Sequence, residues 1–128
     1  VPGVKSLTEA SGLAGLRSLD LSNNALGPVA IEAIAACNGL RGLRVLNLAN
    51  NHVRDSGACK LAASRALAGL LELDLREADI GNEGAIALAE SQYLNNVLRL
   101  DIRSRNGRSL SRAAQTALRE RFGNRVSF

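Results

Sequence analysis

The sequence predicts an α/β fold of one kind, an open right-handed solenoid with a parallel sheet on its concave face and helices on its convex face. Three observations predict it. Leucine or an equivalent recurs every 27 residues in four columns. Within each period, strict alternation gives way to helical spacing. Aromatic residues make up only 2% of the chain, so a core must be assembled from many small, similar contacts.

The columns come first, because an internal period decides the architecture. Leu16, Leu43, Leu70 and Val97 form one. Leu19, Leu46, Leu73 and Leu100 form the second, and Leu21, Leu48, Leu75 and Ile102 the third. Leu13, Leu40, Leu67 and Leu94 precede them. The alternating stretches LRSLDLSNNAL, LRVLNLANNHV and LLELDLREADI read as short strands. GPVAIEAIAAC, SGACKLAASRAL and NEGAIALAESQYL carry apolar residues at helical spacing. Pro28 suits a first helical turn, and Asp55 and Asn82 are candidate caps for their own helices. One strand–turn–helix unit cannot bury either face alone, so neighbours must stack. Helices need about 8–10 Å of width and strands about 4.8 Å. The stack must therefore curve with its strands inside.

Read this way, residues 1–128 form a single domain. Residues 1–15 are a partial repeat, in which Gly3 and Leu7 align with later helices. Residues 16–42, 43–69 and 70–96 are full repeats, and 97–128 hold the last repeat and a C-terminal cap. A helix over about Ser111–Phe122 should end at Gly123, with NRVSF trailing beyond. The chain reads as a fragment whose parent carries further repeats before it.

LxxLxLxxN stands at Leu16–Asn24 and again at Leu43–Asn51. This motif resembles the leucine-rich-repeat family. The 27-residue length, with IGNEGAIALAES after the third strand, resembles its ribonuclease-inhibitor-like class and the alanine-rich GAxALA repeats of bacterial proteins. The ending LRERFGNRVSF is similar to the close of bacterial members that carry a separate N-terminal companion domain. The resemblance implies a ladder in which Asn24 and Asn51 bond backbone groups of adjacent turns. Ala78 and Arg105 break the pattern, so the last turns should be looser. The fourth repeat also departs, with three extra residues in RSRNGRSLS.

Charge is uneven along the chain, whose formal net charge is +4. Residues 99–128 hold eight arginines against Asp101 and Glu120, while residues 71–90 hold six acids against Arg76. Such asymmetry can steer a charged partner. Charged residues break every apolar run short of the roughly 18 residues a membrane span needs. Cys37 and Cys59 match no zinc or redox spacing. The register places them too far apart for a disulfide, and free thiols favour a reducing, cytoplasmic setting.

In-register strands convert the period into columns of concave neighbours. Asp20, Asn47, Asp74 and Asp101 make one; Ser18, Val45, Glu72 and Arg99 a second; Ser22, Ala49, Arg76 and Arg103 a third; Asn23, Asn50, Glu77 and Ser104 a fourth. Curved repeat stacks bind through this face. The expected function is protein–protein recognition or scaffolding, with Asp20, Asn47, Glu72, Asp74, Arg76, Arg99, Asp101 and Arg103 as contact positions. Glu72 and Arg99 should oppose each other as an ion pair. Asp74 and Asp101 lie close, but Arg76, Arg99 and Arg103 should neutralise them on an open sheet, so no acid–base chemistry is expected. No catalytic residue, metal or cofactor is expected, since His52 has no second histidine near it and no phosphate-cradling glycine loop is present. A concave face of a few hundred Å² is smaller than the about 800 Å² per partner of a specific interface. The parent, expected to be a monomer, would supply the rest.

Two other classes compete. Arg103, Arg105, Arg108 and Arg112 could contact nucleic-acid phosphates in a salt-sensitive way, but no aromatic interleaves them to stack bases. Repeats of this kind also serve as regulatory arms of ubiquitin-ligase-like effectors and of GTPase-activating proteins.

Overall fold

The computed structural model describes residues 13–105 and 109–128. The aligned positions Gly3 and Leu7, and Arg108 of the arginine loop, lie outside them. Five parallel strands stack in chain order: β1 (Ser18–Asp20), β2 (Val45–Asn47), β3 (Glu72–Asp74), β4 (Arg99–Asp101) and β5 (Val126–Ser127). Four helices return between them: α1 (Pro28–Ala35), α2 (Arg54–Ala62), α3 (Asn82–Ala89) and α4 (Arg112–Phe122). Register follows the period, with Leu19 paired to Leu46, Leu46 to Leu73 and Leu73 to Leu100.

Each leucine column runs through the core. Leu43, Leu46 and Leu48 are buried, as are Leu70, Leu73 and Leu75, then Val97, Leu100 and Ile102. Ile31, Ile34, Leu61, Leu88 and Leu118 meet them from the helices. Leu118 is buried as Leu88 is, which fits three inserted residues in the last turn. Leu16, Leu19 and Leu21 on the first turn are only half-buried.

Small residues let the helices approach closely. A Cβ on Gly84 would lie 2.7 Å from Asp55 Oδ1 and 3.0 Å from the Ala58 Cβ, so only glycine fits between α2 and α3. Pro28 occupies the first turn of α1. Asp55 and Asn82 do not cap their own helices. Each sits inside the first turn and caps the next helix instead. Asp55 Oδ1 accepts the Gly81 N–H at 2.6 Å and the Gly84 N–H at 3.1 Å, and Asn82 Oδ1 accepts the Ser111 N–H at 2.7 Å. The stack holds these polar groups across turns, because each helix start lies beside its neighbour's.

The opposite helix ends have their own ties. Ser64 Oγ donates to the Ala35 carbonyl at 2.5 Å, Ser91 Oγ to the Ala62 carbonyl at 2.5 Å, and Arg121 Nη1 to the Ala89 carbonyl at 3.1 Å. These oxygens belong to the last turns of α1, α2 and α3, which have no partner within their own helix.

The C-terminal segment is structured. α4 is capped by Ser111, whose Oγ accepts the Ala114 N–H at 3.2 Å, and ends at Gly123 with a φ of +58°. Beyond it, NRVSF does not trail away. Val126 and Ser127 pair with Leu100 and Asp101 as β5. Arg125 ties this segment back through Nη1 to the Val97 carbonyl at 2.9 Å.

Candidate protein-binding site

The concave surface is built on one repeated backbone device. At the end of each strand a short carboxylate or amide accepts the N–H two residues on. Asp20 Oδ1 takes the Ser22 N–H at 2.9 Å, Asn47 Oδ1 the Ala49 N–H at 2.9 Å, Asp74 Oδ1 the Arg76 N–H at 3.0 Å, and Asp101 Oδ1 the Arg103 N–H at 3.1 Å. This local bond is a habit of Asp and Asn. The column that the sequence offers as contacts therefore has a structural task first.

What the residue two places on adds differs along the stack. Ser22 donates its hydroxyl to Asp20 at 2.6 Å, and Ala49 adds nothing polar. Arg76 grips Asp74 side-on, Nε to Oδ1 at 3.0 Å and Nη2 to Oδ2 at 2.8 Å. Arg103 repeats this on Asp101 at 3.0 and 2.7 Å. Arg76 Nε also lies 3.9 Å from Asp101 Oδ2, which links the two pairs across strands. Arg99 takes no part in neutralising these aspartates. Nor does it pair with Glu72: the two are in register, yet no ion pair joins them among the described residues.

Electrostatics obey this geometry. Burial alone would raise the Asp101 carboxyl, but the side-chain and backbone bonds from Arg103 and the charges of Arg103 and Arg76 outweigh it and hold it below the usual carboxylate range. The Ser22 hydroxyl and N–H lower Asp20. Arg76 and Arg103 are raised by their carboxylate partners and stay charged.

Two depressions result. A groove of about 520 Å³ crosses β2 to β4 and includes Asn47, Glu72, Asp74, Arg76, Arg99, Asp101 and Arg103 in its walls. Asp20 borders neither depression. A second hollow, about 690 Å³, sits over the turns that leave β2 to β4 and is lined by Asn50, Arg76, Glu77, Arg103, Ser104 and Arg105. Three of those six, Asn50, Glu77 and Ser104, stand in the fourth concave column but outside the expected contact positions, and Arg105 comes from the arginine loop. Asn50 and Glu77 hold positive φ, at 56° and 53°, as Asn23 does at 58° in the first turn.

The turns are held by two chemistries. Buried Asn51 accepts the Asn24 N–H at 3.1 Å and the Leu26 N–H at 2.9 Å, and donates to the Leu21 and Leu48 carbonyls, both at 3.0 Å. Asn24 donates within its own turn, to Leu21 and Ser22. At Ala78 the amide is gone. Here Glu77 bridges onward. Its Oε1 accepts the Arg105 N–H at 2.9 Å and its Oε2 the Ser104 hydroxyl at 3.2 Å.

The strand–turn–helix period that these turns close is that of a known family. Residues 16–35, 41–62 and 70–89 match the family model described as Leucine Rich repeat. The chain carries leucine-rich repeats. Among solved structures this leucine-rich-repeat chain is similar to leiomodin-1 actin-binding site 2, with a TM-score of 0.69 and 14% identity over 93% of this chain and 69% of that one. At that identity the likeness establishes the shared α/β solenoid fold. No curated protein matches the sequence. Leucine-rich-repeat domains generally mediate protein–protein contact and are typically non-enzymatic. Among the described residues no helix is long and apolar enough to cross a membrane, and no cluster of three or more His, Cys, Asp or Glu could hold a metal.

Several arginines of the C-terminal end are engaged inside the molecule. Arg121 and Arg125 bond backbone carbonyls, Arg103 holds Asp101, and Arg119 lies 5.0 Å from the Phe128 ring centroid. Arg121 and Arg125 close the end of the stack. His52 is exposed and lies 4.0 Å from Asp79. Cys37 is buried and Cys59 half-buried, both as thiols.

Proposed function

We propose that the concave sheet is a protein-recognition surface of a longer leucine-rich-repeat protein of the ribonuclease-inhibitor-like class. The contact positions are Glu72, Asp74, Arg76, Arg99, Asp101 and Arg103, with Asn47 and Asp20 at the margin. The observation that carries this reading is the groove over β2 to β4. Its backbone is fixed by the aspartate and asparagine column, while Glu72 and Arg99 stand in register with no ion pair between them. Charges that no structural bond occupies suit an external partner. The solved leiomodin-1 domain is by name an actin-binding site, which supports a protein-binding use of this fold; actin is not carried over to this chain. The nucleic-acid alternative rests on Arg103, Arg105, Arg108 and Arg112; of these Arg103 holds Asp101, and no aromatic residue interleaves them to stack bases.

The test is a charge swap, Glu72→Arg with Arg99→Glu, in the full parent used as bait in its source lysate. Net charge is kept and only the pattern is inverted. A protein partner captured by the wild type should be lost at least tenfold. Equal recovery by both would sink the reading.

A further inference from the structure

The hollow over the exit turns of β2 to β4 has more unused donors than acceptors. An arginine carries five N–H donors. Arg76 turns Nε and Nη2 toward Asp74, and Arg103 does the same toward Asp101, so the far edge of each fork has no partner among the described residues. The Arg105 side chain has no partner among the described residues. The carboxylates nearby are occupied. Both Asp101 oxygens and both Asp74 oxygens hold arginine, and both Glu77 oxygens hold the fourth turn through Ser104 and Arg105. Arg76 and Arg103 stand at equivalent places just past the ends of adjacent strands, about 4.8 Å apart at the backbone. Their carboxylate partners lock each fork in place, so little rotamer entropy remains to be lost when a ligand arrives.

We propose that this hollow is an acceptor site for the carboxylate side chains of an acidic segment of the protein partner, gripped by Arg76, Arg103 and Arg105. The inference rests on the recognition reading above and names the chemistry that reading leaves open. Its lining residues are all polar, which excludes an apolar anchor. A nucleic-acid strand fits less well. It carries a charge at every step and would meet Asp74, Glu77 and Asp101 around the same hollow. No aromatic ring lines the hollow to stack a base. A peptide can place a carboxylate at the forks and stay neutral elsewhere.

The experiment titrates the whole chain with a fluorescent decapeptide of alternating Glu and Ser, at low salt, with a Lys–Ser decapeptide and a ten-nucleotide oligothymidine beside it. The acidic peptide should bind saturably and the basic one should not. Arg76→Gln/Arg103→Gln should weaken binding at least tenfold. Arg65→Gln/Arg112→Gln removes the same charge outside the hollow and should cost less than twofold. Arg76→Lys/Arg103→Lys keeps the charge without the fork and should fall between, at about threefold, with an unchanged urea midpoint showing that the fold is intact. Equal losses in the two Gln pairs would reduce the effect to net charge and overturn the proposal. So would absence of saturable binding, or oligothymidine binding more tightly than the peptide. If the Glu72/Arg99 swap leaves partner capture untouched, the recognition reading falls whatever the peptide does. If the swap abolishes capture while the Arg76/Arg103 variants bind peptide as the wild type does, only this inference falls.

Discussion

The turns leaving β1 and β2 and those leaving β3 and β4 open on the same bond, an Asp or Asn accepting the N–H two residues on, and differ in what else holds them. In the first pair the tie is a buried neutral amide, Asn51, with Ser22 and Ala49 beside it. In the second pair the ties are ionic and half-exposed: Asp74 with Arg76, Asp101 with Arg103, and Glu77 reaching to the fourth turn. A neutral amide in a closed site stabilises and leaves nothing over. A charged pair at the surface contributes little stability but presents oriented charge to whatever approaches. The difference teaches where along this stack the fold is secured and where it can recognise.

Asn51→Ala should cost the most. It strands the Leu26 N–H and the Leu48 carbonyl in buried positions, at about 1–3 kcal/mol for each unsatisfied group. A loss of about 3 kcal/mol in urea unfolding, nearly independent of salt, is the expected result. A loss under about 1 kcal/mol would erase the contrast. Glu77→Ala removes the bridge to Arg105 and Ser104 and should cost about 1 kcal/mol by the same measurement.

The acid limb sharpens the comparison further. The folded Asp101 carboxyl is held below its unfolded value, near about 3.9. Its contribution is therefore complete above that value and is lost as pH falls through the depressed folded pKa. Asp101→Asn should flatten the fall in stability as pH drops below about 4, while Asn47→Asp should not flatten it. The smallest effect belongs to Arg76→Ala, expected to change stability by less than about 1 kcal/mol while reducing partner binding. A larger stability loss would place this arginine with Asn51 as a structural tie.

Much of the fold was legible because a stack repeats its own period. One unit fixed the strand register, and Leu16, Leu43, Leu70 and Val97 named their own neighbours. Asn51 was legible for the same reason. The ties between turns were not, because they depend on how far one turn is offset from the next. Asp55 looks like a cap for its own helix until the offset places its carboxylate at Gly81 and Gly84. Ser64 and Ser91 stand 27 residues apart in plain view, yet a serine near a helix end has many uses. At the site, the columns held the groove and five of the six residues of the hollow, but not the bonds that join its turns. Glu77 and Arg105 act through turn geometry that no apolar pattern encodes, and the register of Arg99 permits an ion pair with Glu72 that does not form. The strand β5 is two residues long and has no periodicity to show.

The ties at the helix ends connect each turn to its immediate predecessor: Ser64 to Ala35, Ser91 to Ala62, Arg121 to Ala89. Under a stretching load along the stack, each link shares the force at its junction with the strand pairing beside it, and the junctions act in series, as in a chain of couplings. Extension would proceed by separating one turn from the next at whichever coupling yields first, with the remaining turns still folded and able to re-engage when the tension falls.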